Sequence, residues 1–148
     1  KLLNTGGGIK NALSYFGDKN FLVTNSDILW NDNNVKDIND FIIGYEEIKY
    51  CKLLLVENKK FKGLKKKEGD FKLENQLISR WKINDPHLYF SGLQIINPHI
   101  FSQIKQDSFS MNLLWDILIK YNQLQGKINN SVITHIGDIN SYNEIKNI

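Results

Sequence analysis

An α/β fold on a mainly parallel sheet, covered on both faces, is the architecture this sequence predicts. The first observation is a pair of short apolar runs, Phe21-Leu22-Val23 and Cys51-Lys52-Leu53-Leu54-Leu55-Val56, each of strand length. Between them Val35, Ile38, Phe41, Ile42 and Tyr45 recur at three and four, the period of a crossover helix. Strands that are apolar throughout and alternate with helices need cover on both sides. The third observation is size: 148 residues with 41% hydrophobic content can bury one core, so a single domain spanning 1–148 is expected.

Taken in order, Ile9, Ala12, Leu13 and Phe16 predict a helix from Gly8 to Phe16, stopped by Gly17-Asp18. Phe21 to Asn25 reads as a buried strand, and the next helix is expected from about Val35 to Lys49. Cys51 to Val56 follows as a strand. Phe71 and Leu73, separated from Leu77 and Ile78 by Glu74-Asn75-Gln76, read as a hairpin. Leu88 to Ile96 is a strand, after which Asn97 caps a helix that opens on Pro98. Ser110 caps a second, densely apolar helix from Met111 to Leu118. Ser131 to Ile136 gives a last strand, followed by Gly137-Asp138 and a short helix.

Composition narrows the function classes. No run of about 18 apolar residues is present, and the first residues lack the charged-then-apolar order of a signal peptide, so an intracellular, cytoplasmic protein without a membrane partner is expected. Cys51 is the only cysteine and reads as a small strand residue. Net charge is +3, concentrated in Lys59, Lys60, Lys62, Lys65, Lys66 and Lys67. With Phe61 as its only aromatic, this cluster reads as a solvated loop rather than a nucleic-acid surface. Trp30, Trp81 and Trp115 read as packing residues, and His87 and His99 as surface residues with no partner at metal spacing.

Two polar features remain. Thr5-Gly6-Gly7-Gly8 precedes a helical pattern, and glycine lets backbone N–H groups come close to a ligand. Asp27 lies just past the strand Phe21 to Asn25, where a carboxylate can hold a metal ion, although Asn25 and Ser26 would equally suit a turn. Together the two read as part of a nucleotide site.

The segments Leu3 to Ile9, Phe21 to Trp30, Gly69 to Trp81, Tyr89 to Asn97 and Phe109 to Asp116 resemble, in order, those of the sugar-1-phosphate nucleotidyltransferases. The resemblance is nearest to N-acetylmuramate-1-phosphate uridylyltransferases and mannose-1-phosphate guanylyltransferase-like proteins. It implies a Rossmann-like nucleotidyltransferase fold, with a mixed, mainly parallel sheet. It also implies transfer of a nucleoside monophosphate from a nucleoside triphosphate to a sugar 1-phosphate, with release of pyrophosphate. Thr5, Gly6, Gly7 and Gly8 would then lie along base and ribose, Asp27 would bind Mg²⁺ as the catalytic residue, and Gly92 and Asn112 would contact the sugar.

Two departures qualify the likeness. His135 stands where many family members carry a second metal-binding aspartate, and imidazole is a poor Mg²⁺ ligand. The family's first strand, its glycine- and arginine-rich loop and a catalytic lysine normally precede the counterpart of Thr5. With Lys1 at the start and Met111 as the only methionine, the sequence reads as an N-terminally truncated domain lacking the first strand or strands. The alternative to catalysis is an inactive remnant, or one half of a split enzyme completed by a separate N-terminal polypeptide.

Overall fold

The structure, a computed structural model, describes residues 2–146. Its centre is strand β3 (Cys51–Glu57), where the alternation of side chains explains the two-sided cover. Leu53 and Leu55 point into one apolar cluster with Met111, Leu114 and Leu118, while Leu54 packs on the opposite face with Phe41 and Ile95. Both faces are dry because alternate residues of the apolar run Leu53 to Val56 serve different layers.

The main sheet has six strands in the order β1-β7-β3-β8-β6-β5, formed by β1 (Phe21–Thr24), β5 (Phe71–Glu74), β6 (Leu77–Arg80), β7 (Leu88–Ile96) and β8 (Leu124–Asn129) around β3. It is mixed, as expected, but its parallel share is smaller than the strand–helix alternation implies. Among the described residues only β3 and β8 pair in parallel within this sheet. The reason is β7, which runs antiparallel to both β1 and β3 and so separates two strands that share a direction. A second sheet, in the order β2-β9-β4, joins β2 (Ile28–Leu29), β9 (Ile133–His135) and β4 (Phe61–Lys62).

Helix α1 (Asn4–Ala12) and α3 (Met111–Lys120) cover one face, and α2 (Val35–Ile42) the other. Several elements differ from the sequence reading, and β2 and β4 have no counterpart in it. Helix α1 begins at Asn4, so the glycines form its first turns rather than a loop. Helix α2 ends at Ile42, because Gly44 takes a left-handed φ of 69° and a 3-10 turn, Tyr45–Glu47, replaces the remaining turns. Strand β8 has no counterpart in the sequence reading, since Gly126 and Lys127 interrupt its apolar pattern, yet it pairs with β3 from Cys51 to Val56. The segment after Asn97 is a 3-10 helix, Pro98–Gln103, with the Asn97 side chain accepting from the His99 N–H. The β5–β6 hairpin, the Ser110 cap of α3 and the final helix α4 (Ile139–Lys146) form where expected. Asn75 and Gln76 turn the hairpin with positive φ of 49° and 67°, the twist that a two-residue turn needs. No helix among the described residues is long and apolar enough to cross a membrane.

Candidate functional site

A register change in β7 builds the site. Leu53 of β3 faces Gln94, but Leu55 faces Phe90, so β7 carries extra chain between them. Gly92 sits in that bulge with φ 92°, a conformation other residues rarely adopt. A Cβ there would also stand 2.6 Å from Ile28 Cγ1. The Gly92 carbonyl instead accepts the Asn25 N–H at 2.8 Å, which anchors the turn from β1 into β2. Asp27 lies on that turn.

Beside the bulge opens a cavity of about 270 Å³, lined by residues that include Thr5, Asn25, Asp70, Phe90, Gln94, Asn112 and Trp115. Phe90 and Trp115 supply an aromatic wall, their rings 4.9 Å apart and inclined at 64°. The polar groups are held by their neighbours. Asn112 accepts from Arg80 Nη2 at 2.8 Å and donates to Ser110 Oγ at 3.2 Å. Arg80 is fixed in turn by Asp116, at 2.7 Å, and by the face of Phe71. Asp70 accepts the Phe90 N–H at 3.2 Å and pairs with Lys66.

The cavity therefore brings Thr5 and Asn112 together, with Gly92 behind its wall through Asn25. Gly6, Gly7 and Gly8 do not line it. Both the Gly6 and Gly7 N–H groups donate to the Phe109 carbonyl, at 2.9 and 3.1 Å. A Cβ on Gly6 would overlap the Phe109 ring, and one on Gly7 the Asp107 carbonyl oxygen. These two glycines let α1 lie against the 107–109 backbone, and that contact accounts for them. Thr5 Oγ1 accepts the Met111 N–H at 3.1 Å and so caps α3 while it lines the cavity. Gly8 is exposed, with open space where a Cβ would stand.

Asp27 has two different oxygens. Oδ2 lies 3.3 Å from His135 Nε2, across the β2–β9 pair. Oδ1 is buried and has no hydrogen-bond partner among the described residues. An unpartnered buried carboxylate oxygen costs free energy unless something else binds it. Among the described residues no three His, Cys, Asp or Glu side chains gather as a metal cluster. Mg²⁺ needs no such cage, because it is commonly held by one or two carboxylates plus substrate phosphates and water. One hard oxygen awaiting a partner fits that donor set, and the His135 imidazole does not belong to it.

Asn25, Asp70, Gln94 and Trp115 escaped the sequence reading as site residues. Gln94 carried the one usable signal, a polar amide inside the apolar strand Leu93-Gln94-Ile95.

No family model matches the chain. Solved structures do. HddC from Yersinia pseudotuberculosis, complexed with GMP-PN, superposes with a TM-score of 0.69 at 23% identity, over 97% of this chain and 61% of that one. The inositol-1-phosphate CTP transferase from T. maritima gives 0.70 at 12% identity, over 94% and 58%. A UDP-glucose pyrophosphorylase from Acinetobacter baumannii gives 0.70 at 15%, over 97% and 55%. The likeness shows the fold, a mixed α/β fold shared with these structures, two of which are named as a CTP transferase and a UDP-glucose pyrophosphorylase. The chain spans between 55% and 61% of the length of these three structures.

Proposed function

We propose that this chain forms the acceptor side of a sugar-1-phosphate nucleotidyl-transfer site. The observation that carries the reading is the cavity at the β7 bulge, half aromatic and half polar, beside a turn whose aspartate keeps one oxygen unpartnered. A sugar ring suits such a wall, since its C–H faces pack on aromatics while its hydroxyls need donors and acceptors. The Asn112 amide, locked by Arg80 and Ser110, would orient that sugar. Gly92 acts through backbone shape, holding open the space into which Asn25 and Ile28 fold.

In the reaction an oxygen of the sugar 1-phosphate attacks the α-phosphorus of a nucleoside triphosphate, and pyrophosphate leaves. Asp27 Oδ1 would hold Mg²⁺, which when bound neutralises phosphate charge. The chain's own work is to place the acceptor phosphate and keep the sugar in register with it. Thr5 and the exposed Gly8 would meet the nucleotide's base, because Gly6 and Gly7 are covered by Phe109 and Asp107.

The reading of a chain that binds without catalysis also has support. The Gly6 and Gly7 N–H groups are already committed to Phe109, so they offer nothing to a triphosphate. Additional structure, from the same polypeptide or a separate one, would have to grip it. The open edge of β1, which pairs only with β7 among the described residues, is where further strands would seat.

The test mixes the chain with a hexose 1-phosphate, UTP or GTP, and Mg²⁺, and follows pyrophosphate by phosphorus NMR. Pyrophosphate formed by the wild type and lost in Asp27→Asn supports transfer. Sugar 1-phosphate binding without pyrophosphate selects the non-catalytic reading, and absence of both overturns the two together.

A further inference from the structure

Gln94 is 2% exposed in a strand segment whose neighbours Leu93, Ile95 and Ile96 are buried. A buried amide has an acceptor oxygen and an NH₂ donor, and each requires a partner. The oxygen has two: the Trp115 indole N–H donates to Oε1 at 3.2 Å, and the Cys51 thiol approaches it at 3.7 Å. Indole can only donate, and burial pushes the Cys51 thiol up, so it keeps its proton. Turning the amide over would set NH₂ against the indole N–H. The donor end is therefore fixed in direction by chemistry rather than by choice of rotamer. That NH₂ donates to no group among the described residues, and Gln94 lines the 270 Å³ cavity.

We propose that Gln94 is a specificity-determining residue of this cavity, its NH₂ donating to a hydroxyl or acyl-carbonyl oxygen of a sugar ring laid against Phe90 and Trp115. The inference rests on the sugar-phosphate reading of the site and assigns which part of the ligand this end of the cavity takes. The nearby Asp70 carboxylate disfavours an anion here, and with Lys66 and the Phe90 N–H as partners it still has lone pairs to accept from a hydroxyl. A donor and an acceptor facing one small space recognise a neutral polyol edge. The phosphate then lies outside this end of the cavity, toward the Asp27 turn. A site built to donate to a ligand oxygen rejects the analogue lacking that oxygen, because the buried donor is left unpaired.

The experiment measures dissociation constants of glucose 1-phosphate, mannose 1-phosphate, N-acetylglucosamine 1-phosphate and their monodeoxy analogues by ligand-observed NMR, on wild type, Gln94→Met and Gln94→Glu. Expected for the wild type is one deoxygenation that weakens binding about tenfold. The same deoxygenation should cost nothing in Gln94→Met. In Gln94→Glu the carboxylate accepts but cannot donate, so a contact to an acyl carbonyl should be lost and one to a hydroxyl kept with its direction reversed. Inorganic phosphate should bind all three proteins alike. Gln94→Glu keeps an acceptor for Trp115, so a Trp115 indole proton still protected from exchange shows an intact pocket even if Gln94→Met fails to fold. A deoxygenation penalty equal in wild type and in Gln94→Met, or in Gln94→Leu if the Met variant does not fold, overturns the assignment of Gln94 alone. Failure of the wild type to bind any sugar 1-phosphate overturns both this assignment and the sugar reading. Coupled binding without pyrophosphate formation upholds Gln94 and overturns only the catalytic reading.

Discussion

Around Gly6 and Gly7 the backbone donors are spent inside the protein, whereas at the Asp27 turn a buried carboxylate oxygen is left without a partner. Neither Gly6 and Gly7 nor Asp27 lines the cavity, but each lies close in the chain to a residue that does, Thr5 in the first case and Asn25 in the second. The first is closed by Phe109 and Asp107 and holds α1 in place. The second has a buried carboxylate oxygen with no protein partner among the described residues, which a water, an ion or a ligand has to complete. A segment that satisfies itself contributes stability, and one that does not is available for chemistry. Substitutions should therefore separate the two regions by what they damage.

Asp27→Asn should show the largest effect. If the chain carries out the proposed transfer, pyrophosphate release should fall by about a hundredfold or more, on the scale of losing a preorganised electrostatic contact. Stability should hold within about 0.5 kcal/mol in urea unfolding, because the part-exposed Oδ2–His135 contact is a weak one and an amide leaves the Oδ1 position no better partnered. A midpoint lowered by more than that would place Asp27 among the structural groups and erase the contrast.

Gly7→Ala tests the other side. Its Cβ would meet the Asp107 carbonyl oxygen, a backbone atom that cannot swing away, so about 3 kcal/mol of destabilisation is expected. Gly6→Ala meets the Phe109 ring first, which can shift, and should cost somewhat less. Equal midpoints for wild type and Gly7→Ala would show that α1 does not depend on this close contact.

The contrast also explains what the sequence made legible. β3 could be read because every residue of Cys51 to Val56 except Lys52 is apolar, and hydrophobic burial acts on each side chain separately. β8 could not, because it is stabilised by pairing with β3 and carries Gly126 and Lys127, so its evidence lies in another part of the chain. The glycines drew attention to the right neighbourhood, but their function as a contact surface for residues 107–109 depends on a packing more than a hundred residues away in sequence. Gln94 was visible as a polar interruption of an apolar strand. Which way its amide points needed Trp115 and Cys51.

A second carboxylate sharpens the comparison. Asp37 accepts from the Ser131 N–H at 2.9 Å, the Ser131 hydroxyl at 2.6 Å and the Asn130 amide at 3.2 Å. Burial pushes its carboxyl up, but these hydrogen bonds outweigh burial and hold it below the ordinary value of 3.8. A depressed folded-state value stabilises the protein above the unfolded pKa, and that stability is lost as pH falls through the folded one. Asp37→Asn should cost about 1 kcal/mol near neutral pH, unlike Asp27→Asn. The difference from wild type should shrink below about pH 4. A difference that grows on acidification would reverse the sign and refute the pairing.

Gly8→Ala should have the smallest effect and the most informative sign. Gly8 is helical, exposed and free of any atom within 4 Å of an added Cβ, so nothing in the fold requires glycine there. Alanine in a helix interior is favoured over glycine by about 0.5–1 kcal/mol, largely through the smaller entropy of the unfolded chain. The urea midpoint should therefore rise, opposite to Gly7→Ala one residue earlier. If a nucleotide base packs on this turn, the same methyl should weaken nucleoside triphosphate binding while the protein becomes more stable. Higher stability with unchanged binding would confine the whole glycine segment to packing and leave the Asn25, Gln94 and Asn112 side of the cavity as the part that meets ligand.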